Sequence, residues 1–263
     1  MSLFGGLQTS VMGVTAQSNR LNTIGQNIAN VNTTGYKAGS VEFESMLGDA
    51  KTLGAGNPVS NFNGAGVGST LRLNASSQGT ITSTTTSTNL AVSGTGHFVV
   101  KRSDGTTAMT RAGAFTRESD GTLVNTAGDT LMGYGSGGTS LTPVIVPSNN
   151  TAVSVSTDGT VSFTSPAGVT TTPYSIPLAK VRAPENLTAL TADDYVANDD
   201  SGAMTVAKAG TTGLGTVQGS SLESSTTDLA TELSNMIVTQ RGYEANSKVM
   251  SATSDMLSKL ATI

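Results

Sequence analysis

Apolar residues recur every seven positions near both ends of the chain. The N-terminal row contains Leu7, Val14, Leu21 and Ile28. The C-terminal row contains Leu222, Leu229, Met236, Tyr243, Met250 and Leu257. Further apolar residues lie three or four positions away from each row, and this spacing is typical of a coiled-coil seam. The pattern therefore predicts two long terminal helices that pair through these rows.

The N-terminal helix is expected to end between Asn32 and Gly35, because glycine readily adopts the left-handed conformation that closes a helix. The residues between its apolar positions are polar and nearly uncharged, and Gln17 and Asn27 are examples. These side chains are expected to form the polar face of the helix.

The C-terminal helix is expected to run from about residue 222 to 260. Residues 224–227 are all Ser or Thr, so they offer side-chain oxygens that can cap the first turn. Asp228 and Glu232 suit the first turns, where negative charge is favourable.

Between the terminal segments the pattern changes to short strands and turns. Asp104-Gly105, Asp120-Gly121 and Asp158-Gly159 are each followed by Thr, and Asp-Gly is a strong signal for a β-hairpin turn. The sequence therefore predicts the α+β class: two long terminal helices that pair as a coiled-coil-like unit, and a central, mainly antiparallel β-domain. The expected division is 1–35 for the N-terminal helix, 36–218 for the β-domain and 219–263 for the C-terminal helix.

Composition narrows the possible functions. The 263 residues carry a net charge of −4 and contain no Cys, so nucleic-acid binding, disulfides and thiolate metal sites are not expected. No apolar run approaches the roughly 20 residues that span a bilayer, so membrane insertion is not expected. The N-terminal residues show neither the basic segment nor the apolar core of a cleavable secretory signal.

Few residues suggest chemistry. His97 is the single histidine, and it is interpreted as a strand residue on a half-exposed face rather than a catalytic base. Asp193-Asp194 and Asp199-Asp200 lack the ligand spacing of a calcium loop, and they are interpreted as parts of solvated loops. No catalytic residue, metal site or cofactor is predicted, and the protein is not expected to be an enzyme.

Three groups of motifs resemble one known family. Residues 27–37 read NIANVNTTGYK, residues 94–100 read GTGHFVV, and residues 110–115 and 120–125 read TRAGAF and DGTLVN. Near the other end, LESS at 222–225 is followed by ATELSNMI at 230–237 and QRGYEAN at 240–246. These motifs, in this order along the chain, resemble those of the flagellar hook and rod proteins. Members of that family usually have Ala at the position of Gly242. The motif residues singled out are Asn27, Asn30, Asn32, Gly35, Tyr36, Gly94, Gly96 and Phe98.

The resemblance implies a structural subunit that is exported without a cleavable signal and polymerises through its terminal helices into a hollow helical tube. The implied partners are further copies of the chain, neighbouring flagellar axial proteins, the hook cap and the export apparatus. The implied location is the extracellular hook or the periplasmic rod of the bacterial flagellum. Within the family, several segments resemble hook protein, whereas the length is closer to distal rod protein. The favoured interpretation is a hook subunit, in a tube that transmits torque and conducts exported subunits, and the distal rod protein is the alternative. A secreted β-rich adhesin with coiled-coil stalks is the alternative from a different class.

Overall fold

A computed structural model describes residues 3–47, 64–135, 138, 140–147, 152–166, 169–190, 193–211 and 213–260. Its two α-helices are α1 (Leu3–Ala29) and α2 (Leu229–Leu260). The strands before residue 136 are β1 (Gly39–Leu47), β2 (Gly64–Leu73), β3 (Ile81–Ser83), β4 (Leu90–Ser93), β5 (His97–Lys101), β6 (Thr107–Thr110), β7 (Thr116–Arg117), β8 (Leu123–Val124) and β9 (Thr130–Gly135). The later strands are β10 (Leu141–Pro143), β11 (Ala152–Val155), β12 (Thr160–Thr164), β13 (Thr170–Ser175), β14 (Pro177–Lys180), β15 (Thr188–Ala189), β16 (Asp194–Val196), β17 (Thr205–Lys208), β18 (Thr216–Gly219) and β19 (Ser221–Glu223). The predicted α+β class is therefore confirmed.

The chain divides into two compact units. The first, here called the helical unit, contains Met1–Ala29, Gly39–Arg72 and Asp228–Ile263. The second, the β-unit, contains Asn30–Ala38 and Leu73–Thr227.

Within the helical unit, α1 and α2 run antiparallel and contact each other. Near one end, Asn27 Nδ2 donates a hydrogen bond of 3.1 Å to Glu232 Oε1. Farther along, a Cβ placed on Gly242 would lie 3.0 Å from Gln17 Nε2. A Cβ on Gly13 would similarly lie 2.8 Å from Asn246 Nδ2. Small residues thus let the two backbones approach closely. The pairing of the helices as a coiled coil stays a prediction.

The β-unit is built around one large sheet with the strand order β11-β12-β13-β9-β5-β6-β16-β15. The described strand pairs of this unit are antiparallel, for example Val99 with Met109 and Leu178 with Phe98. The pairs β4–β18 and β3–β19 form separate two-stranded sheets. Sixteen buried apolar residues form the main core, and Phe98 and Phe115 meet edge to face within it at 5.8 Å.

The three Asp-Gly-Thr segments form the predicted turns. In each, the Asp side chain accepts a hydrogen bond from the backbone N–H of the Thr two positions later, at distances of 2.8, 2.9 and 3.2 Å. The central glycines Gly105, Gly121 and Gly159 have φ angles of 86°, 92° and 80°, which residues with side chains rarely adopt. The turns join β5 to β6, β7 to β8 and β11 to β12, and all three pairs are antiparallel.

Both helices are shorter than the sequence predicts. Helix α2 begins at Leu229 instead of about 222, because Leu222 lies on β19, where it pairs with Thr82 of β3. The cap is Asp228, whose Oδ1 accepts from the N–H of Ala230 at 3.0 Å, and not a residue of 224–227.

Helix α1 ends at Ala29, because residues 30–35 form turns held by other bonds. The Gly35 N–H, for example, donates to the Glu223 carbonyl oxygen at 2.8 Å. Among the described residues, neither helix is long and apolar enough to cross a membrane.

Candidate functional site

The predicted assembly residues on the helices differ in exposure. Leu7, Val14, Leu21 and Ile28 are all partly buried on α1, and Met236, Met250 and Leu257 are partly buried on α2. By contrast, Leu229 and Tyr243 are exposed. Leu222 lies outside the helix altogether, so its predicted place in the helical row is wrong. Whether any of these residues acts in assembly stays a prediction.

Helix α2 buries almost no apolar side chain within its own chain. Over its whole length the buried residues are Thr239 and Thr253, which each donate a side-chain hydrogen bond to a carbonyl oxygen four residues earlier. The polar residues Glu232, Asn235 and Asn246 are also partly buried. The covered face of α2 therefore mixes polar residues with the partly buried Met236, Met250 and Leu257, unlike a regular coiled-coil seam.

Four large apolar residues of α2 form a row that remains exposed. Val238, Val249, Met256 and Leu260 are 63%, 53%, 51% and 63% exposed. Their separations are 11, 7 and 4 residues, each close to a whole number of 3.6-residue turns, so they share one side of the helix. We call this row the apolar stripe. Exposed Leu229, Leu233 and Ile237, spaced by four, form a second row near the start of α2.

Asn27 is a structural link rather than part of an outward polar face. Its side chain is buried, donates to the carbonyl oxygen of Gly39 at 2.9 Å and accepts from the Gly39 N–H at 3.1 Å. It also donates to Glu232 of α2. The expectation of an outward polar side chain is wrong at this position, because the amide satisfies the backbone of the segment that enters β1.

The β-unit contains a buried ionic cluster of Lys37, Arg111 and Glu223. Glu223 Oε1 lies 2.5 Å from Lys37 Nζ, and Glu223 Oε2 lies 3.0 Å from Arg111 Nη1. All three side chains are at most 3% exposed. Burial disfavours the ammonium ion more than Glu223 favours it, so the pKa of Lys37 is lowered. The carboxylate is thus fully engaged between two cations.

The cluster joins three of the motifs found in the sequence. Lys37 closes the first motif, Arg111 belongs to the central one, and Glu223 follows directly after Leu222 in the last. Further bonds tie the same segments to the backbone. Lys37 Nζ donates to the Ser77 carbonyl oxygen, and Arg111 Nη2 donates to the Gly94 carbonyl oxygen at 2.7 Å. Buried charges are stable only when they are paired and hydrogen-bonded. Each of these three charged motif residues therefore requires the others in the folded protein.

The remaining residues of the first motif build the turn before Lys37. Gly35 has a φ of 75°, and a Cβ there would lie 2.4 Å from the Arg111 carbonyl carbon, so a side chain is excluded. Asn30 accepts from the Thr33 hydroxyl at 3.1 Å, while Asn32 is exposed. The Tyr36 carbonyl oxygen accepts from the Thr226 N–H at 3.1 Å.

The central motif supports the core on one side of the backbone and a cavity on the other. Phe98 is fully buried, and a Cβ on Gly96 would lie 3.1 Å from Leu178 Cβ. The cavity has a volume of about 230 Å³ and is lined by Ala75, Ser76, Thr95, Gly96, His97, Arg111, Lys180, Val181, Pro184 and Gly213.

His97 is buried, so its predicted half-exposed position is wrong. Its ring packs edge to face on Tyr195 at 5.9 Å, as an aromatic side chain would. Within the described part of the chain, neither ring nitrogen has a hydrogen-bond partner. Burial, and then the charges of Arg111 and Lys37, lower the pKa of His97 to about 3. The imidazole is therefore neutral, and no carboxylate among the described residues accepts a hydrogen bond from it, unlike the histidine of a catalytic triad.

Asp194 is also buried, which contradicts its expected place in a solvated loop. It is fully buried on β16, where it pairs with Thr110 of β6, and neither carboxyl oxygen accepts a bond from a donor in the described residues. Burial first, and then the neighbouring carboxyl of Asp129, raise the pKa of Asp194 to about 7. Asp199 and Asp200 are exposed. The described residues contain no group of three or more side chains suited to hold a metal ion.

The geometry defines an α+β protein with two terminal helices, a β-unit, and three motifs that meet in one buried cluster within the β-unit. Three family models match successive parts of the chain. They describe a flagella basal body rod protein at residues 7–37, the flagellar hook protein FlgE/F/G D1 domain at 91–163 and the C-terminal part of flagellar basal body rod FlgEFG protein at 218–263.

Some relatives align with nearly the whole chain at lower identity, and others align with half of it at higher identity. The flagellar basal-body rod protein FlgG of Bacillus subtilis (strain 168) is 33% identical over 98% of this chain and 98% of its own length. The flagellar hook protein FlgE of Rhizobium meliloti (strain 1021) is 48% identical, but over 51% of this chain and 31% of its own length. The chain belongs to the flagellar hook and basal-body rod protein family. It spans about a third of the length of the hook proteins that it matches.

Proposed function

We propose that this protein is a structural subunit of the bacterial flagellar axis that polymerises through its terminal helices into a hollow helical tube. The observation that carries the proposal is the exposed apolar surface of α2. A 32-residue helix whose buried side chains are two threonines gains little from its own chain. Helices of neighbouring copies would cover the apolar stripe and bury its side chains, which are exposed in the single chain.

The hook is the favoured position within the axis. The hook protein of Rhizobium meliloti shares 48% identity with this chain where the two align, against 33% for the rod protein of Bacillus subtilis. A hook subunit would transmit torque while its contacts slide during bending. Met236, Met250 and Met256 of α2 suit such a surface, because the unbranched methionine side chain adapts its packing.

The distal rod is the second candidate, and the end-to-end similarity favours it. The rod protein of Bacillus subtilis aligns over nearly its whole length, whereas about two thirds of the hook relative has no counterpart here. In either position the partners would be further copies and neighbouring axial proteins, with the hook cap and the export apparatus during assembly. The protein would act as a building element and not as an enzyme.

Electron microscopy of the purified full-length chain under salting-out conditions tests the proposal. Tubes are expected from the unchanged chain; curved tubes would favour the hook, and straight tubes the rod. Val249→Asp places a charge in the apolar stripe and should raise the protein concentration needed for tubes by roughly tenfold or more, since burial of an unpaired charge is costly.

Ser251→Asp is the matched control. Ser251 is exposed two residues farther along α2, and two residues turn the helix by about 200°, so the new carboxylate points away from the stripe. In dilute solution both variants should be folded and have the same circular dichroism, and Ser251→Asp should form tubes at the same concentration as the unchanged chain. Equal loss of tubes in the two variants, or no tubes from the unchanged chain under any condition, would contradict assembly through the stripe.

A further inference from the structure

Asp194 and Asp129 form a pair of buried carboxyl groups in the β-unit. Asp194 is fully buried and the Asp129 side chain is 6% exposed. Burial first, and then a side-chain hydrogen bond with Asp129 and the Asp129 charge, raise the pKa of Asp194. Two carboxylates have no hydrogen to share, so a bond between them requires that one carboxyl keeps its proton. We call these two residues the acidic pair.

The surrounding groups indicate which member holds the negative charge. Asp129 Oδ2 accepts from Asn125 Nδ2 at 3.2 Å, and Asp129 Oδ1 lies 4.0 Å from Arg102 Nε. Asp194 has no such donor among the described residues. The nearby Thr110 hydroxyl has a single proton, which it donates to the Asp193 carbonyl oxygen at 3.1 Å. The available donors therefore lie around Asp129, and Asp194 is the group that needs the proton.

Asp194 lies near the edge of the large sheet. Asp194 and Tyr195 of β16 pair with Thr110 and Met109 of β6, and β16 in turn holds β15. If Asp194 ionised in place, two negative charges would face each other away from water, and the repulsion would be strong at low dielectric constant. Opening of this sheet edge would let water reach the charge.

We propose that Asp129 and Asp194 share one buried proton, and that loss of this proton weakens the pairing of β16 with β6. The charged and titratable groups around the pair are Arg102 after β5, Asp193 beside it and Tyr195 on β16. Thr110 and then Arg102 lower the pKa of Asp194, but burial and Asp129 raise it by more. The β-unit thus carries a pH-sensitive element that is separate from the helices proposed to polymerise.

The direction of the pH effect follows from proton linkage. The pKa of Asp194 is raised in the folded protein from 3.8 to about 7, so the stabilisation is complete below the unfolded value and is lost as the pH rises through about 7. Between these values, each pH unit multiplies the unfolding constant by up to about ten through this group, and above about pH 7.5 the effect levels off.

Other groups act in the opposite sense. The folded pKa values of His97 and Lys37 are lowered, so their contributions are lost as the pH falls. A comparison of variants separates these contributions from that of the acidic pair.

Urea unfolding of the full-length chain at pH 5, 6, 7 and 8 tests the proposal. Asp194→Asn supplies an amide N–H to Asp129 without an ionisable proton. Relative to this variant, the unchanged chain should lose stability between pH 5 and 7 and then stay level. Asp200→Asn is the control, because Asp200 is an exposed loop carboxylate, and this variant should follow the unchanged chain.

Two measurements keep the test decisive if Asp194→Asn folds poorly. Carbon NMR of the aspartate carboxyl groups in the unchanged chain should reveal one that titrates near pH 7. Hydrogen exchange in residues 193–197, divided by that in 152–155, should rise by about tenfold or more from pH 5 to pH 7.5. An aspartate set that is fully ionised by pH 5.5, with a constant exchange ratio, would overturn the proposal.

Discussion

The β-unit and the helical unit bury their side chains in opposite ways. In the β-unit, sixteen apolar residues close a core around Phe98, and three charged side chains are buried with their partners. In the helical unit, α2 buries two threonines and exposes most of its large apolar residues. One unit is complete within a single chain. The other leaves large apolar residues of α2 exposed, and in the proposed assembly neighbouring copies would cover them.

Substitutions in the core of the β-unit and on the apolar stripe of α2 should differ most in their effect on the free energy of unfolding. Phe98→Ala removes a fully buried ring that contacts Phe115, and it should lower the free energy of unfolding by about 3–5 kcal/mol. Val249→Ala, on the exposed apolar stripe, should change it by less than about 0.5 kcal/mol. Urea unfolding of dilute monomer measures both. Similar losses for the two variants would show that the units do not differ as described.

The buried ionic cluster can be compared with an exposed ion pair of the same β-unit. Glu223→Gln leaves Lys37 and Arg111 buried without a negative charge and should cost about 3–5 kcal/mol. The exposed pair of Lys208 and Asp158 is the control, since its 3.1 Å contact lies at the surface. Lys208→Gln should cost about 0–1 kcal/mol. A loss below about 1 kcal/mol for Glu223→Gln would mean that the cluster is dispensable.

Glycines of the helical unit should produce the smallest effects. Gly25→Ala on α1 meets open space and should stabilise the helices by about 0.5–1 kcal/mol. Gly242→Ala should gain less, because the new Cβ lies 3.0 Å from Gln17 Nε2 and the Gln17 side chain must shift. Thermal unfolding followed at 222 nm compares them. A larger gain at Gly242 than at Gly25 would show that the helices do not approach each other at that point.

Local patterns predicted the parts of the fold that depend on neighbouring residues. Each Asp-Gly-Thr turn is determined by three consecutive residues, namely an acceptor side chain, a glycine with positive φ and a donor N–H. The two terminal helices and the antiparallel strands followed from periodicity in the same way. The limits of α2 did not, because β19 pairs with β3, which lies far away in the sequence.

The buried polar residues were outside the reach of local patterns. Asp193-Asp194 resembles a loop in sequence, and only its pairing with β6 places Asp194 in the interior. His97 resembles an exposed strand residue, and its contact with Tyr195 depends on the strand order of the finished sheet. The motif around Lys37 was recognised as a motif, yet no sequence pattern showed that Arg111 and Glu223 converge on it. The one sequence feature that could have indicated this cluster is the presence of a Lys, an Arg and a Glu in three separate motifs.

The separation of Lys37 and Glu223 has a consequence for when the β-unit can fold. The two residues are 186 positions apart, so a nascent chain synthesised from its N-terminus holds two cations without their carboxylate until Glu223 has been added. Contacts between such distant residues form slowly, because a long loop must close first. Because the main core lies between Leu90 and Val217, the ionic cluster is completed only after every residue of that core has been synthesised.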